Sequence, residues 1–536
     1  MALTTVREAF FEVLRERGLT TMFANPGSTE IPLLADLPSD LRFVLALHES
    51  SVIGLATGLA IGSERPALAI VHTTAGLGNA VSALATARVN RAPLVVLVGQ
   101  QDRRHLAHEP FLAGRLDGLA GEYPVWVGKP ARAQDVPGAV ARAAHEAVTH
   151  RGPALVIVPM DDWQAPPDLD AEPAAAGRVL RAESAGEAAV EPLAALLAAA
   201  ESPAIVVGAG ADSPECWEAL TKLSERLVAP VWQEAFGARS GFPMDHPHFA
   251  GFMPADRPRL RPLLEQYDVV LCVGCPAFRQ YPYIEGPLAP LGVTVALVSQ
   301  DPDEVHRSPA SLAVLGSPAA VCAELAASVP QREAEPPPSF RPPPAPEPPG
   351  LGEKMRAGHV LAALAERLPR NAIVIEECPS NKPELHRRLL TREPMGFVSP
   401  AMGGLGFALP AATGLRMARP DRPVVAVVGD GSSIYAIQAL WSAAQYGVGA
   451  LFVILANGSY AIMDRLAERA GDTAPWPGLD HLDITALAGG FGCGAKRIES
   501  HDDLLATLDE VLPSLVDRHE PLLLEVVVEP DPEFDP

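Results

Sequence analysis

Two short stretches place oxygen donors where they could hold a hard cation. Gly429–Asp430–Gly431–Ser432 follows the apolar run Val424–Val428, and Asn457–Gly458–Ser459 follows Leu451–Leu455, with Asn457 lying 27 residues after Asp430. Each run reads as a strand and the segment between them as a helix. Asp430 and Asn457 then stand at the carboxyl ends of parallel strands, where open sheets bind ligands. A carboxylate and an amide oxygen suit Mg²⁺ or Ca²⁺, and Mg²⁺ combines one or two carboxylates with phosphate oxygens. Gly429 and Gly431 let the backbone approach phosphates, and the helix start after them favours anions. A lone Gly-Asp-Gly is also a good turn. Its pairing with Asn-Gly at the next strand end is what points to a cation and a diphosphate.

A second carboxylate stands apart from these. Leu45–Ala46–Leu47–His48–Glu49 closes a strand, and Ser50–Ala60 reads as a helix rich in small residues. Glu49 therefore occupies a strand–helix junction, a place where a helix dipole favours acids. In a dry site the same carboxyl can hydrogen-bond a heterocyclic nitrogen.

The Gly-Asp-Gly and Asn spacing resembles the thiamine-diphosphate motif. The stretches Asn25–Glu30, Leu47–Glu49, His72–Asn79, Gly99–Gln101 and Gly403–Pro410 resemble the benzoylformate decarboxylase family, and the similarity runs over essentially the whole chain. The resemblance implies three α/β domains, which bind the pyrimidine, form a central unit and bind the diphosphate. It implies a cofactor held between the first domain of one subunit and the third of another, hence a homodimer at least and a tetramer as the usual form. By the same resemblance Glu49 bonds the pyrimidine N1′ and promotes proton loss from thiamine C2, while Ser28 and His72 face the reacting carbon. Gly403 accepts from the 4′-amino group, and Leu405 is the apolar wedge that keeps the cofactor bent. Gly429, Gly431, Ser432 and Tyr460 surround the diphosphate. Asp430, Asn457 and the carbonyl of Ser459 hold Mg²⁺ or Ca²⁺.

The chain departs from that pattern in two places. Tyr281 stands where the family has a second active-site histidine, and an unperturbed tyrosine, with a pKa near ~10, is a weaker acid than imidazolium. Ser399 and Leu466 stand where the family embraces a phenyl ring with aromatics, while Phe111 and Leu112 remain apolar. A wider, less aromatic pocket fits an aliphatic, larger or more polar substrate. The expected reaction is non-oxidative decarboxylation of a 2-keto acid to an aldehyde. The alternative is a carboligase that joins the same intermediate to a second carbonyl compound.

These residues need rigid sheets beneath them, and 536 residues with 48% hydrophobic content can supply about three domains. Apolar runs alternate with helical patterns over residues 1–165, 185–330 and 352–530, which predicts three doubly wound parallel sheets. In the first block the expected strands are Thr21–Phe23, Leu41–Ala46, Ala67–His72, Leu94–Gly99 and Ala154–Pro159. In the second they are Ala204–Gly208, Val228–Trp232, Val269–Val273 and Val293–Val298. In the third they are Ala372–Ile375, Val424–Val428, Leu451–Leu455 and Leu522–Val528. Gln164–Pro173 reads as a linker. Residues 331–351 read as a proline-rich spacer, with nine prolines between Glu333 and Gly350.

A net charge of −23 disfavours nucleic acid as a partner. Met1–Gly18 reads as a charged amphipathic helix, and no apolar run reaches the ~18 residues of a membrane span, so the expected location is the cytoplasm. Of the six cysteines only Cys272 and Cys275 form a CxxC, inside a buried strand and its exit, and the reading is structural. A nicotinamide-linked oxidoreductase using Gly208–Ala209–Gly210 or Gly403–Gly406 is the competing class, and a non-catalytic relative the other. Neither accounts for Glu49, Asp430 and Asn457 together.

Overall fold

The computed structural model describes residues 4–168, 186–350 and 352–531. The second half of the expected 164–173 linker therefore lies outside the described residues.

Three six-stranded sheets follow one another along the chain, and every strand pair in them is parallel. The first contains β1 (Thr21–Asn25), β2 (Arg42–Leu45), β3 (Ala67–Val71), β4 (Leu94–Gln100), β5 (Trp126–Gly128) and β6 (Pro153–Pro159). The second contains β7 (Pro203–Val207), β8 (Val231–Gln233), β9 (Phe249–Phe252), β10 (Val269–Val273), β11 (Thr294–Ser299) and β12 (Leu312–Leu315). The third contains β13 (Ile373–Glu377), β14 (Phe397–Val398), β15 (Val424–Gly429), β16 (Leu451–Ala456), β17 (Gly494–Ile498) and β18 (Leu522–Val527). The central strands are continuous Val/Ile/Leu runs buried on both faces, as parallel sheets covered by helices require.

The first sheet has the order β2-β1-β3-β4-β6-β5 and the third β14-β13-β15-β16-β18-β17. The two orders are the same, although the sequence shows no repeat between these blocks. The middle sheet, β9-β8-β7-β10-β11-β12, has the strand order of a dinucleotide-binding fold, with its switch point between β7 and β10. That crevice is filled by the protein itself. A side chain at Gly210 would meet the Cα of Gly274 at 2.8 Å and the Arg91 guanidinium at 3.1 Å, and one at Gly208 would strike the carboxylate of Glu234. Arg91 reaches in from the first domain and pairs with Glu304 and Asp301. The oxidoreductase reading of the Gly208 loop fails on this geometry.

Within one chain the first and third domains share a core. The helix Glu49–Ser63 lies against the helix Ala408–Ala418, and glycines bring the two backbones into contact. A Cβ at Gly54 would meet Pro410 at 2.6 Å, one at Gly62 would meet Ala418 at 2.7 Å, and one at Gly58 would fall on the carbonyl oxygen of Ala411. Glycine costs a helix ~1 kcal/mol relative to alanine, so three of them on one stripe are explained by this approach. Gly58→Ala must move a backbone, not a flexible side chain, and the expected loss is ~3 kcal/mol or more. It would be read as a lower thermal midpoint by circular dichroism, and an unchanged midpoint would contradict the packing.

The proline-rich segment has no regular structure between 331 and 350 but is pinned along its length. Phe340 donates its N–H to the Phe249 carbonyl at 2.7 Å and packs its ring edge-on against that residue. Arg388 donates to the carbonyls of Pro343 and Pro344. All six cysteines are buried and free. No described helix is long and apolar enough to cross a membrane.

Candidate active site

Glu49 is the first residue of its helix, capped by the His48 imidazole, which accepts the Ser50 N–H. Its carboxylate is buried, and its two oxygens accept from the side-chain amides of Asn25 at 3.1 Å and Asn79 at 3.0 Å. Asn25 ends β1, and Asn79 lies on the helix Thr73–Val89. Two neutral donors hold the carboxylate in one orientation, and among the described residues no cation pairs with it.

A second acid lies nearby that sequence reasoning did not single out. Glu30 is buried, and its Oε2 accepts the Gly27 N–H at 2.7 Å and lies 3.0 Å from Nδ1 of His72. Thr29 donates its hydroxyl to the other oxygen of Glu30, and its Oγ lies 2.9 Å from the same His72 nitrogen. Since a carboxylate only accepts, the proton sits on Nδ1 and Nε2 is left as the working nitrogen. Gly27 and Gly99 make the room, because a Cβ on the first would enter the His72 ring and one on the second the Glu30 carboxylate. Ser28 begins the short helix Ser28–Glu30 and is exposed.

In the third domain Asp430 follows β15 and is buried, accepting backbone N–H groups from Gly431 at 2.8 Å and Gly458 at 2.7 Å. Burial raises its carboxyl above the ordinary range, and it is in no ion pair among the described residues. A buried carboxylate without a counter-charge suits a bound cation. Asn457 Oδ1 accepts the Ser459 N–H at 2.9 Å, and Gly458 takes φ 70°, a conformation that favours glycine. The described residues contain no cluster of three or more His, Cys, Asp or Glu able to hold a metal unaided. A cation here therefore needs oxygens from a ligand, as a diphosphate would provide. Tyr460 lays its ring against Gly431, and Ser432 is buried in the same turn.

The loop carrying Gly403 and Leu405 is held from behind. Glu377, at the end of β13, accepts the backbone N–H groups of Gly406, Phe407 and Ala408, and so caps the following helix. Gly403 and Gly406 adopt φ 76° and 90°. A side chain at Gly403 would meet nothing within 4 Å, so the loop faces open space there.

The expected pocket residues have different surroundings. Phe111 is 88% exposed, and Leu112 lines an open cleft of about 710 Å³ beside it. The loop bearing both is pinned by Gln100, whose side chain bonds both the N–H and the carbonyl of Gly114. Leu466 is half-buried on the helix Ala461–Ala470. Ser399 is fully buried and does not form an open wall, because its hydroxyl is engaged by Glu376 and Lys382. Tyr281 is 64% exposed, and among the described residues its one hydrogen bond is from its backbone N–H to the carbonyl of Ala255. Two residues before it, Arg279 reaches the carbonyl of Ala401, which brings this central-domain loop to the Gly403 loop.

Comparison with known proteins agrees with this geometry. Residues 4–119 match the N-terminal TPP binding domain of thiamine pyrophosphate enzymes, 190–325 their central domain and 382–526 their C-terminal TPP binding domain. The chain is 38% identical to benzoylformate decarboxylase of Pseudomonas aeruginosa, over 98% of this chain and 99% of that one. The structure resembles thiamine diphosphate-dependent 4-hydroxybenzoylformate decarboxylase of Rhodococcus jostii RHA1 with TM-score 0.93 and 34% identity, covering 98% of this chain and 99% of the other. It resembles benzoylformate decarboxylase of Polynucleobacter necessarius with TM-score 0.93 and 32% identity, over the full length of both. The chain therefore belongs to the thiamine-diphosphate-dependent enzymes, as a 2-keto acid decarboxylase of the benzoylformate decarboxylase type.

Proposed function

We propose that the enzyme converts a bulky, benzoylformate-like 2-keto acid, taking up one proton, to CO₂ and the aldehyde one carbon shorter. The observation that carries this reading is Glu49, a buried carboxylate oriented by Asn25 and Asn79 and paired with no cation among the described residues. Bound thiamine diphosphate supplies the nucleophilic carbon and the electron sink. Asp430, Asn457 and the Ser459 carbonyl would hold Mg²⁺ or Ca²⁺, and Gly429, Gly431, Ser432 and Tyr460 would line the diphosphate. Gly403 and Leu405 position the rings. Glu49 holds and exchanges a proton at the pyrimidine nitrogen. Ser28 orients the substrate carboxylate, and His72, fixed by Glu30, moves a proton through Nε2. Phe111, Leu112, Leu466 and the Ser399 region surround the substrate side chain.

Two copies complete each site, and a tetramer made of two such pairs is the expected cytoplasmic form. The bare Phe111 and Ser28 in a single chain support a covering partner. Carboligation is not favoured by the relatives found. The test is product identity. A panel of 2-keto acids should release aldehyde whether or not an acceptor aldehyde is present, and ligated product alone would overturn the decarboxylase reading.

Tyr281 bears on the last proton transfer. If it faces the reacting carbon, Tyr281→His places a group that titrates near neutral pH there, and the ratio of aldehyde to ligated product rises severalfold. An unchanged ratio, measured by chromatography from the same keto acid, removes Tyr281 from that step.

A further inference from the structure

Lys382 opens the helix Lys382–Arg388, just past the carboxyl end of β13. That end of the sheet is also where Asp430 stands, since β13 pairs with β15 with Glu377 opposite Val428. Its ammonium lies 3.0 Å from the Ser399 hydroxyl and 3.2 Å from Glu376 Oε2, and Ser399 donates to the same oxygen at 2.8 Å. Glu376 and Ser399 are buried, whereas the Lys382 side chain keeps 22% exposure. An ammonium has three N–H groups: one donates to Ser399, Glu376 is an ion-pair partner, and among the described residues the ammonium has no further partner.

The trio sits between the two segments assigned to the pocket. Ser399 leads into the Gly403 loop, and Asn90 holds it in place by bonding the Ser399 carbonyl and the Ala401 N–H. On the other side Ser380, in the turn before Lys382, accepts the N–H of Ile462 at the start of the helix that carries Leu466. Burial alone would raise the Glu376 carboxyl, but the nearby Lys382 ammonium and the hydrogen bonds it accepts bring it below the ordinary range. Glu376 and Lys382 thus offset each other's charge. A buried ion pair is often no more stabilising than apolar residues of the same volume, so stability alone gives little reason for one at this place.

We infer that Lys382, oriented by Glu376 and Ser399, forms the distal polar wall of the substrate pocket and selects 2-keto acids whose side chain ends in a neutral acceptor oxygen, such as a ring hydroxyl. A carboxylate at that end would lie against Glu376, whose charge already takes up that of Lys382. A neutral oxygen takes the third N–H without that repulsion. An unsubstituted ring leaves the donor unpaired, which costs a fully formed site more than a missing apolar contact does. Lys382 is the contacting residue in this account, and Glu376 and Ser399 are positioning residues.

This inference rests on the decarboxylase reading, and its test separates the two. The holoenzyme is assayed with phenylglyoxylate and its 4-hydroxy and 4-carboxy derivatives, and kcat/KM is compared. The 4-hydroxy acid should exceed the unsubstituted one by ~10-fold. Lys382→Met alone strands a buried carboxylate and can unfold the protein, so the double variant Glu376→Gln/Lys382→Met is compared with it. In the double variant the preference should fall ~10-fold. An unchanged preference, or a parallel loss on both substrates, would overturn the inference, as would a wild-type preference for the 4-carboxy acid. Calorimetry with the unreactive 2-hydroxy analogues, mandelate and 4-hydroxymandelate, reports the same preference without turnover. If no keto acid reacts but 4-hydroxymandelate still binds ~10-fold tighter, the subsite stands and the decarboxylase reading falls. Equal binding of the two analogues overturns the subsite.

Discussion

Glu49→Gln is expected to slow hydrogen–deuterium exchange at thiamine C2 by at least ~100-fold, with the fold preserved, because positioned proton transfer contributes ~10²–10⁴ in rate. The substituted amide has nearly the volume of the carboxylate and can still bond a ring nitrogen, but it cannot share a proton with it. It also turns a donor toward Asn25 or Asn79, each of which now donates to the carboxylate. That mismatch costs ~1–3 kcal/mol locally, small against a core spread over two domains. The prediction is therefore a folded protein that binds cofactor and fails to activate it. Exchange followed by NMR after acid quench decides it, and a rate equal to that of the natural chain would remove Glu49 from the activating role.

Asp430→Ala is expected to weaken binding of cation and thiamine diphosphate together by ~100-fold or more, about 3 kcal/mol. Asp430 is the one charged side chain proposed to face the cation, and without it the diphosphate charge is poorly balanced in a chain that is already strongly acidic. The substitution also frees the N–H groups of Gly431 and Gly458, so part of the loss comes from a looser turn. Asp430→Asn separates the contributions, because it keeps an acceptor oxygen and removes the charge. Affinity should remain low in the asparagine variant. Tight binding of both ligands by calorimetry in either variant would place the cation elsewhere.

The cofactor half-sites were legible because each depends on residues local in sequence. Gly429–Ser432 and Asn457–Ser459 sit directly after apolar runs, and the observed strands end within one residue of the expected Val428 and Leu455. The five strands that escaped notice, β5, β9, β12, β14 and β17, are all edges of their sheets and at most five residues long. Val228 looks like a strand start but ends a helix with φ 49°, and β8 begins only at Val231. Glu376 and Glu377 were missed because the apolar run of β13 stops at Ile375, while the strand continues two residues further into buried acids. A pair of acids closing an otherwise apolar strand was the available signal. Glu30 was visible within the Asn25–Glu30 stretch, but its partnership with His72 joins residues 42 apart and needs the fold to be seen. Ser399 shows the converse: a small side chain suggested space, and Lys382 fills it with a charge.

The central claim is that the Glu49 and Asp430 half-sites together run a thiamine-diphosphate-dependent decarboxylation. Its most direct test is CO₂ release from a reactive 2-keto acid by protein stripped of cofactor, titrated with thiamine diphosphate in excess Mg²⁺. The account predicts no release without the cofactor, saturable release with it, and one aldehyde formed per CO₂. CO₂ release that ignores the cofactor, or none from any keto acid while thiamine diphosphate is demonstrably bound, would contradict it.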